Sequence, residues 1–330
     1  MRKLDAKVVV IGGGTGSFVV LSGLKKYFSN ITALVSMADD GGSTGKLRDE
    51  YGVLPAGDVR QCLVALSSSP KVRELFNYRY NDGEFEGHSF GNLFISTLEK
   101  MTGNFVEAVE TAGDILRIEG KVVPTTLTSV DLNLDDGKTV YKGESEIREA
   151  KFATLRPKVW LTPNPTPNPT AIDAICEAEI VVIAPGGLYE SLGAALLVPG
   201  IAEALEKSSA RKIYICNIMN QSKHVDNFKV PDYVEELERI AGRKFINTVI
   251  YNKRLPDAKL IERYALEDET AIETGDLEGL HCDIRGANLL SDEAFVVSKG
   301  DKIAAQRALI RHDPDRVAKQ IIEVCNDKQD

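Results

Sequence analysis

Residues 8–16 read Val-Val-Val-Ile-Gly-Gly-Gly-Thr-Gly, and a helical pattern follows at once through Phe18, Leu21, Leu24 and Lys25. Four β-branched residues that stop at glycines predict a buried strand, a turn free of Cβ crowding, and a helix whose N-terminus faces out of a sheet. Backbone N–H groups and the helix dipole converge at such a turn, so an anion can sit on Gly12, Gly13, Gly14, Thr15 and Gly16. The plainer alternative is a strand-to-helix turn with no ligand.

The rest of the chain repeats that unit. A second strand is expected over Ile31–Met37. Helical patterns cover Gly57–Leu66, with Asp58 suited to cap it, then 71–80, 91–100 and 104–116. This run of helices breaks the alternation and reads as an insertion. Residues 122–150 alternate like strands around an Asp135-Asp136-Gly137 turn, and Lys151–Leu161 reads as a return strand. Pro163, Pro165, Pro167 and Pro169 then fix an extended loop, with Pro169 at a helix start. Beyond it come helix Ala171–Ala178, strand Glu179–Ala184, helices to Lys207, strand Lys212–Asn217, helix Asp232–Ala241, strand Phe245–Tyr251, helix Asp257–Tyr264, a β-rich stretch and a last helix Asp313–Cys325. The expected fold is α/β, a Rossmann-like doubly wound and mostly parallel sheet. Residues 1–330 are expected to form one domain, with a helical and small β insertion at about 60–150.

Two nucleotide motifs are nearly spelled and then broken. The dinucleotide fingerprint Gly-x-Gly-x-x-Gly meets Ser17 in place of its third glycine, so no NAD or flavin is expected. The Gly45-Lys46 segment fails as a P-loop, with Asp40 and Leu47 where glycine and Ser/Thr belong. A net charge of −9 without a basic run disfavours nucleic acid. No apolar stretch is long enough for a membrane span, and Met1–Lys7 lacks a signal region, so a cytoplasmic location is expected. Five scattered cysteines suit reduced, buried thiols.

Several expected strands end in polar residues or turn-formers, and in a parallel sheet those ends share one edge. They offer Gly186, Gly187 and Tyr189, then Asn217 and Gln221. Glycine turns suit phosphate, amides and carboxylates suit hydroxyls or a base, and tyrosine suits stacking. Asp39 and Asp40 are adjacent carboxylates that can hold Mg²⁺ beside a diphosphate, or simply form an Asx turn before Gly41-Gly42. Lys46, Arg48 and Arg60 can neutralise phosphate or lie in surface ion pairs. His88 stands before a helix start as an acid or phosphate donor, or in a structural role, and Ser89 can cap that helix.

These segments together resemble the YvcK-like gluconeogenesis factor family within the wider CofD-like group. The resemblance rests on Gly12–Gly16, Ala38–Arg48, Gly57–Leu63, Gly87-His88-Ser89-Phe90-Gly91-Asn92-Leu93, Gly143-Glu144-Ser145 and Ile215-Cys216-Asn217, in order along the chain. It implies a cytoplasmic protein that binds UDP-sugars such as UDP-N-acetylglucosamine or UDP-glucose and supports growth and cell shape on gluconeogenic carbon. It brings Asn92 and Arg311 into the expected ligand set, and leaves regulatory protein partners and a homodimer open. The alternative within the group is a transferase that moves a phosphoryl-linked group from a nucleotide diphosphate donor. The chain departs from the family pattern at Gly187 and Glu190, at Ala194-Ala195, at Asn220, and around Lys223-His224.

Overall fold

In this computed structural model, residues 3–266, 268–292 and 309–327 are described. Alternate residues of each central strand enter opposite cores. Val8 and Val10 pack with Ala33, Val182, Ile215 and Ile250 on one face of the sheet, and Val9 and Ile11 pack with Leu34, Val181, Ile183 and Val249 on the other. Burial on both faces is why these strands read as continuous apolar runs rather than as alternating ones.

The first half runs β1 (Leu4–Ile11), α1 (Gly14–Leu24), β2 (Phe28–Val35), α2 (Gly42–Tyr51), α3 (Gly57–Leu66), α4 (Pro70–Asn77), α5 (Phe90–Thr102), α6 (Phe105–Leu116), β3 (Lys121–Pro124), β4 (Asp131–Asp135), β5 (Val140–Lys142), α7 (Glu144–Glu149) and β6 (Lys158–Thr162). The second half runs α8 (Pro169–Glu177), β7 (Ile180–Ile183), a π-helical turn (Leu188–Gly193), α9 (Ala194–Leu196), α10 (Ile201–Lys207), β8 (Arg211–Ile215), β9 (Met219–Gln221), α11 (Ser222–Val225), α12 (Val230–Ala241), β10 (Thr248–Asn252), α13 (Ala258–Ala265), β11 (Glu269–Ala271), β12 (Asp283–Ala287) and α14 (Pro314–Asn326).

Among the described residues, seven strands form one sheet in the order β12-β10-β8-β7-β1-β2-β3. Each neighbouring pair in it is parallel. The chain winds outward from β1 to β3, then returns to β7 on the other side of β1. The connections therefore part between β1 and β7, which opens a crevice beyond their C-terminal ends.

Two expectations change. The segment from 122 onward is not all excursion, because β3 pairs in parallel with β2 as the edge of the main sheet. The return strand is also shorter and turns elsewhere. β6 pairs antiparallel with β4, and β5 joins them in a separate three-stranded sheet. Alternation specifies a strand but not its partner, which is a tertiary choice. Cys62, Cys216 and Cys282 are buried as expected, whereas Cys176 is exposed on α8.

Candidate functional site

The glycine turn after β1 has two sides, and the structure furnishes them differently. On one side Gly16 lies so close to the loop after β7 that a Cβ there would stand 1.6 Å from the Pro185 carbonyl oxygen. That contact seats the first turn of α1 against Pro185–Gly187. Asn217, just beyond β8, locks the same loop. Its Oδ1 accepts from the Gly186 N–H at 3.0 Å, and its Nδ2 donates to the Gly186 carbonyl at 2.8 Å. Between these parts opens a cavity of about 240 Å³, lined by Thr15, Gly16, Gly186, Gly187, Tyr189, Asn217, Gln221 and Arg311, with Arg263, Tyr264 and His224 among its other walls. Eight of the residues expected from sequence therefore meet around one hollow, at the switch point of the sheet.

The role expected of Tyr189 changes within that set. Its ring is fully buried, and its hydroxyl donates to the Leu155 carbonyl at 2.9 Å and lies 3.0 Å from Glu236 Oε1. A ring packed and tied this way supports the wall and does not stack on a ligand. Tyr264 is another buried tyrosine of the lining, with its oxygen accepting from the backbone N–H groups of Leu309 and Ile310. His312 is also buried, with Nε2 3.1 Å from the Cys216 carbonyl oxygen. Burial pushes its pKa down to about 4, so it is a neutral anchor for the chain end that carries Arg311.

On the other side of the turn the protein supplies its own charged groups, with Asp39 and Asp58 half-buried and Arg148 exposed. Gly14 sits at φ +60°, and its N–H is bonded to the Asp58 carboxylate. Asp58 thus caps α1, not the start of its own helix α3. A Cβ on Gly13 would stand 1.9 Å from Asp58 Oδ2, so the glycine makes room for that carboxylate. Asp39, Asp58, Glu144 and Glu190 all act electrostatically on Arg148, which is ion-paired to Glu144. Burial, with Asp39 nearby, raises the Asp58 carboxyl to about 7. Burial also raises Asp39, and it raises Glu144 well above the usual range. Glu190 goes the opposite way, held low by its hydrogen bond to His224.

The remaining expected residues belong to this charged side. Asp39 Oδ1 accepts from the Gly41 N–H at 2.9 Å, which is the Asx turn, and its carboxylate is also bonded to Thr44. Asp40 Oδ1 accepts from the Ser145 N–H at 2.8 Å, tying the start of α2 to the first turn of α7. The two adjacent carboxylates thus serve different helices. No group of three or more His, Cys, Asp or Glu side chains stands ready to hold a metal ion among the described residues. Arg60 is buried, donating to Asn92 Oδ1 at 2.9 Å and Asn77 Oδ1 at 2.6 Å, while Asn92 donates to Thr44 at 3.3 Å. Arg60 and Asn92 therefore bolt α2, α3, α4 and α5 together. His88 Nδ1 lies 3.0 Å from the Ser43 hydroxyl, and partial burial lowers its pKa. Ser89 caps α5 through the Asn92 N–H.

Sequence reading passed over Arg148, Glu144 as a charged partner, and the Glu190–His224 pair. Gly143-Glu144-Ser145 marked the place of the second, and the departures at Glu190 and His224 marked the last, but nothing local shows that these residues face one another.

Residues 8–290 match the family described as 2-phospho-L-lactate transferase CofD. The gluconeogenesis factor of Bacillus subtilis is 38% identical over 327 residues, covering 97% of this chain and 98% of that protein. The gluconeogenesis factor of Listeria innocua is 37% identical, covering 99% and 98%. A crystal structure of an upf0052 family member from Bacillus halodurans superposes with a TM-score of 0.87 at 34% identity, covering 98% of this chain and 99% of that one.

Proposed function

This chain belongs to the CofD family, and within it to the gluconeogenesis factors, and from that footing we propose that it binds a UDP-sugar at the switch point between β1 and β7. The observation that carries the reading is the hollow itself. The first turn of α1, the Pro185–Gly187 loop, the Asn217 amide and Arg311 surround it. The N-terminal N–H groups of α1 and the guanidinium of Arg311 favour a diphosphate. The amide of Gln221 suits hydroxyls or a base edge. The uridine and sugar come from the family resemblance, and with them a role in growth on gluconeogenic carbon and in cell shape.

No single helix among the described residues is long and apolar enough to cross a membrane.

Calorimetric titration with UDP-N-acetylglucosamine, UDP-glucose and NAD, with and without Mg²⁺, tests the reading. Both UDP-sugars should bind more tightly than NAD. Binding of NAD with both UDP-sugars silent at millimolar concentration would overturn it. One observation favours the transferase alternative: the family model that matches residues 8–290 is described as a 2-phospho-L-lactate transferase. Release of a nucleoside monophosphate from the sugar nucleotide on incubation with an acceptor alcohol would select that alternative over simple binding.

A further inference from the structure

The glycine-lined hollow has a neighbour. A second hollow of about 440 Å³ lies beside it, with Lys151, Lys223, Asp226 and Asp268 on its walls, and His224 and Glu269 line both. The first, at about 240 Å³, is smaller than the roughly 300–1,000 Å³ typical of pockets for drug-sized ligands, so a nucleotide sugar would overfill it.

His224 stands where the two meet and is held from two directions. Its Nδ1 lies 3.2 Å from Oε1 of Glu190, and both side chains are 4% exposed. Its ring stacks on Phe152, with centroids 4.3 Å apart and planes 11° apart. Its Nε2 is buried without a hydrogen-bond partner in the protein. The carboxylate engages Nδ1, which leaves Nε2 as the ring nitrogen available for a further hydrogen bond. Leaving a buried polar atom unpaired is costly, so an atom like this calls for a partner.

We infer that the ligand spans both hollows, and that His224, set by Glu190 and Phe152, recognises its distal hydroxyl-bearing group through a hydrogen bond at Nε2. This rests on the UDP-sugar reading and adds the residue that tells the sugar from the bare nucleotide. The second hollow suits a polyhydroxylated group. Asp226 and Asp268 offer acceptors, and Lys151 and Lys223 offer donors.

The test compares UDP with UDP-N-acetylglucosamine by calorimetry on the full chain, as wild type, His224→Leu and Asp268→Asn, with thermal unfolding as the check on folding. Wild type should bind the sugar nucleotide more tightly than UDP. His224→Leu should weaken the sugar nucleotide by about 5- to 150-fold and change UDP by less than about twofold. Asp268 is exposed with φ +57°, a conformation asparagine adopts readily, so Asp268→Asn keeps the fold. It should cost the sugar nucleotide roughly 2- to 10-fold and leave UDP alone, and it decides the matter should His224→Leu fail to fold. Equal losses for both ligands, no loss for either, or wild-type binding no tighter for the sugar nucleotide than for UDP would overturn the inference while the nucleotide site stands. A wild type that binds neither ligand would overturn the UDP-sugar reading itself, and this inference with it.

Discussion

The two sides of one glycine turn differ in what satisfies them. Toward β7, Thr15 and Gly16 face a hollow shaped by Gly186, Asn217 and Arg311. Toward β2, Gly13 and Gly14 close onto Asp58, and Asp39, Glu144 and the exposed Arg148 complete a charged cluster. Both sides carry backbone N–H groups, carboxylates and cations at the same sheet edge. The hollow lies on the first side, whereas on the second the carboxylates are bonded within the protein. The second uses an internal carboxylate where the motif alone suggests an external phosphate, so anion-binding chemistry serves ligand binding on one side and folding on the other.

That contrast is open to mutation, and the largest effect belongs to the crowded glycine. Gly16→Ala should destabilise the fold by about 3–5 kcal/mol, because its Cβ would drive into the Pro185 carbonyl and the backbone there must move. Gly14→Ala should cost only about 1–2 kcal/mol. Its φ of +60° is strained for alanine, but the nearest obstacle, Asp58 Oδ1, is 3.5 Å away. Urea denaturation of the two variants checks the order, and a reversed order would break the packing account of the turn.

Asp58 comes next. Its folded pKa of about 7 lies above the ordinary aspartate value of 3.8, so the folded state holds a proton that the unfolded chain releases. Its contribution to stability is fully present below about pH 4 and is lost as pH rises toward about 7. Asp58→Asn keeps an acceptor for the Gly14 N–H and removes the charge. It should flatten the stability profile between about pH 4 and 7 and be the more stable protein at pH 8, by an amount on the order of a few kcal/mol. A wild-type profile that rises over that interval, unchanged in the variant, would contradict the assignment.

Arg148→Met sharpens the same point. It strands Glu144 and its acidic neighbours without their cation, and should destabilise the fold by about 1–3 kcal/mol. That is less than the cost of breaking a fully buried pair, since the guanidinium is partly solvated. Sugar-nucleotide affinity, measured on the folded fraction, should stay within about twofold. The smallest effect on the fold should be that of Gln221→Ala, an exposed side chain at the cavity, with a stability change within about ±0.5 kcal/mol and an affinity loss of roughly 2- to 10-fold.

Much of the architecture was legible in the sequence, for a definite reason. A strand such as Val8–Ile11 or Ile180–Ile183, buried on both faces and stopped by glycine or proline, declares its type and its end. The residues that meet at those ends were legible too, because parallel strands bring their C-termini to one edge. Three things were not. Strand partners were hidden, since β3 and β4 look alike locally and join different sheets. The direction of a side chain was hidden, so Asp58 read as a cap for α3 and is a cap for α1. The neutralisation of charge was hidden as well. Asp40 and Ser145 are far apart in sequence, and so are Glu190 and His224; only the folded chain brings each pair together.

Hydrogen exchange on the intact protein, with and without saturating UDP-N-acetylglucosamine, tests the contrast most directly. The account predicts slower exchange in peptides covering residues 15–19, 185–191 and 217–221 on ligand addition, with residues 40–48, 57–62 and 88–96 unchanged. Protection confined to the second set, with the first set unaffected, would contradict it.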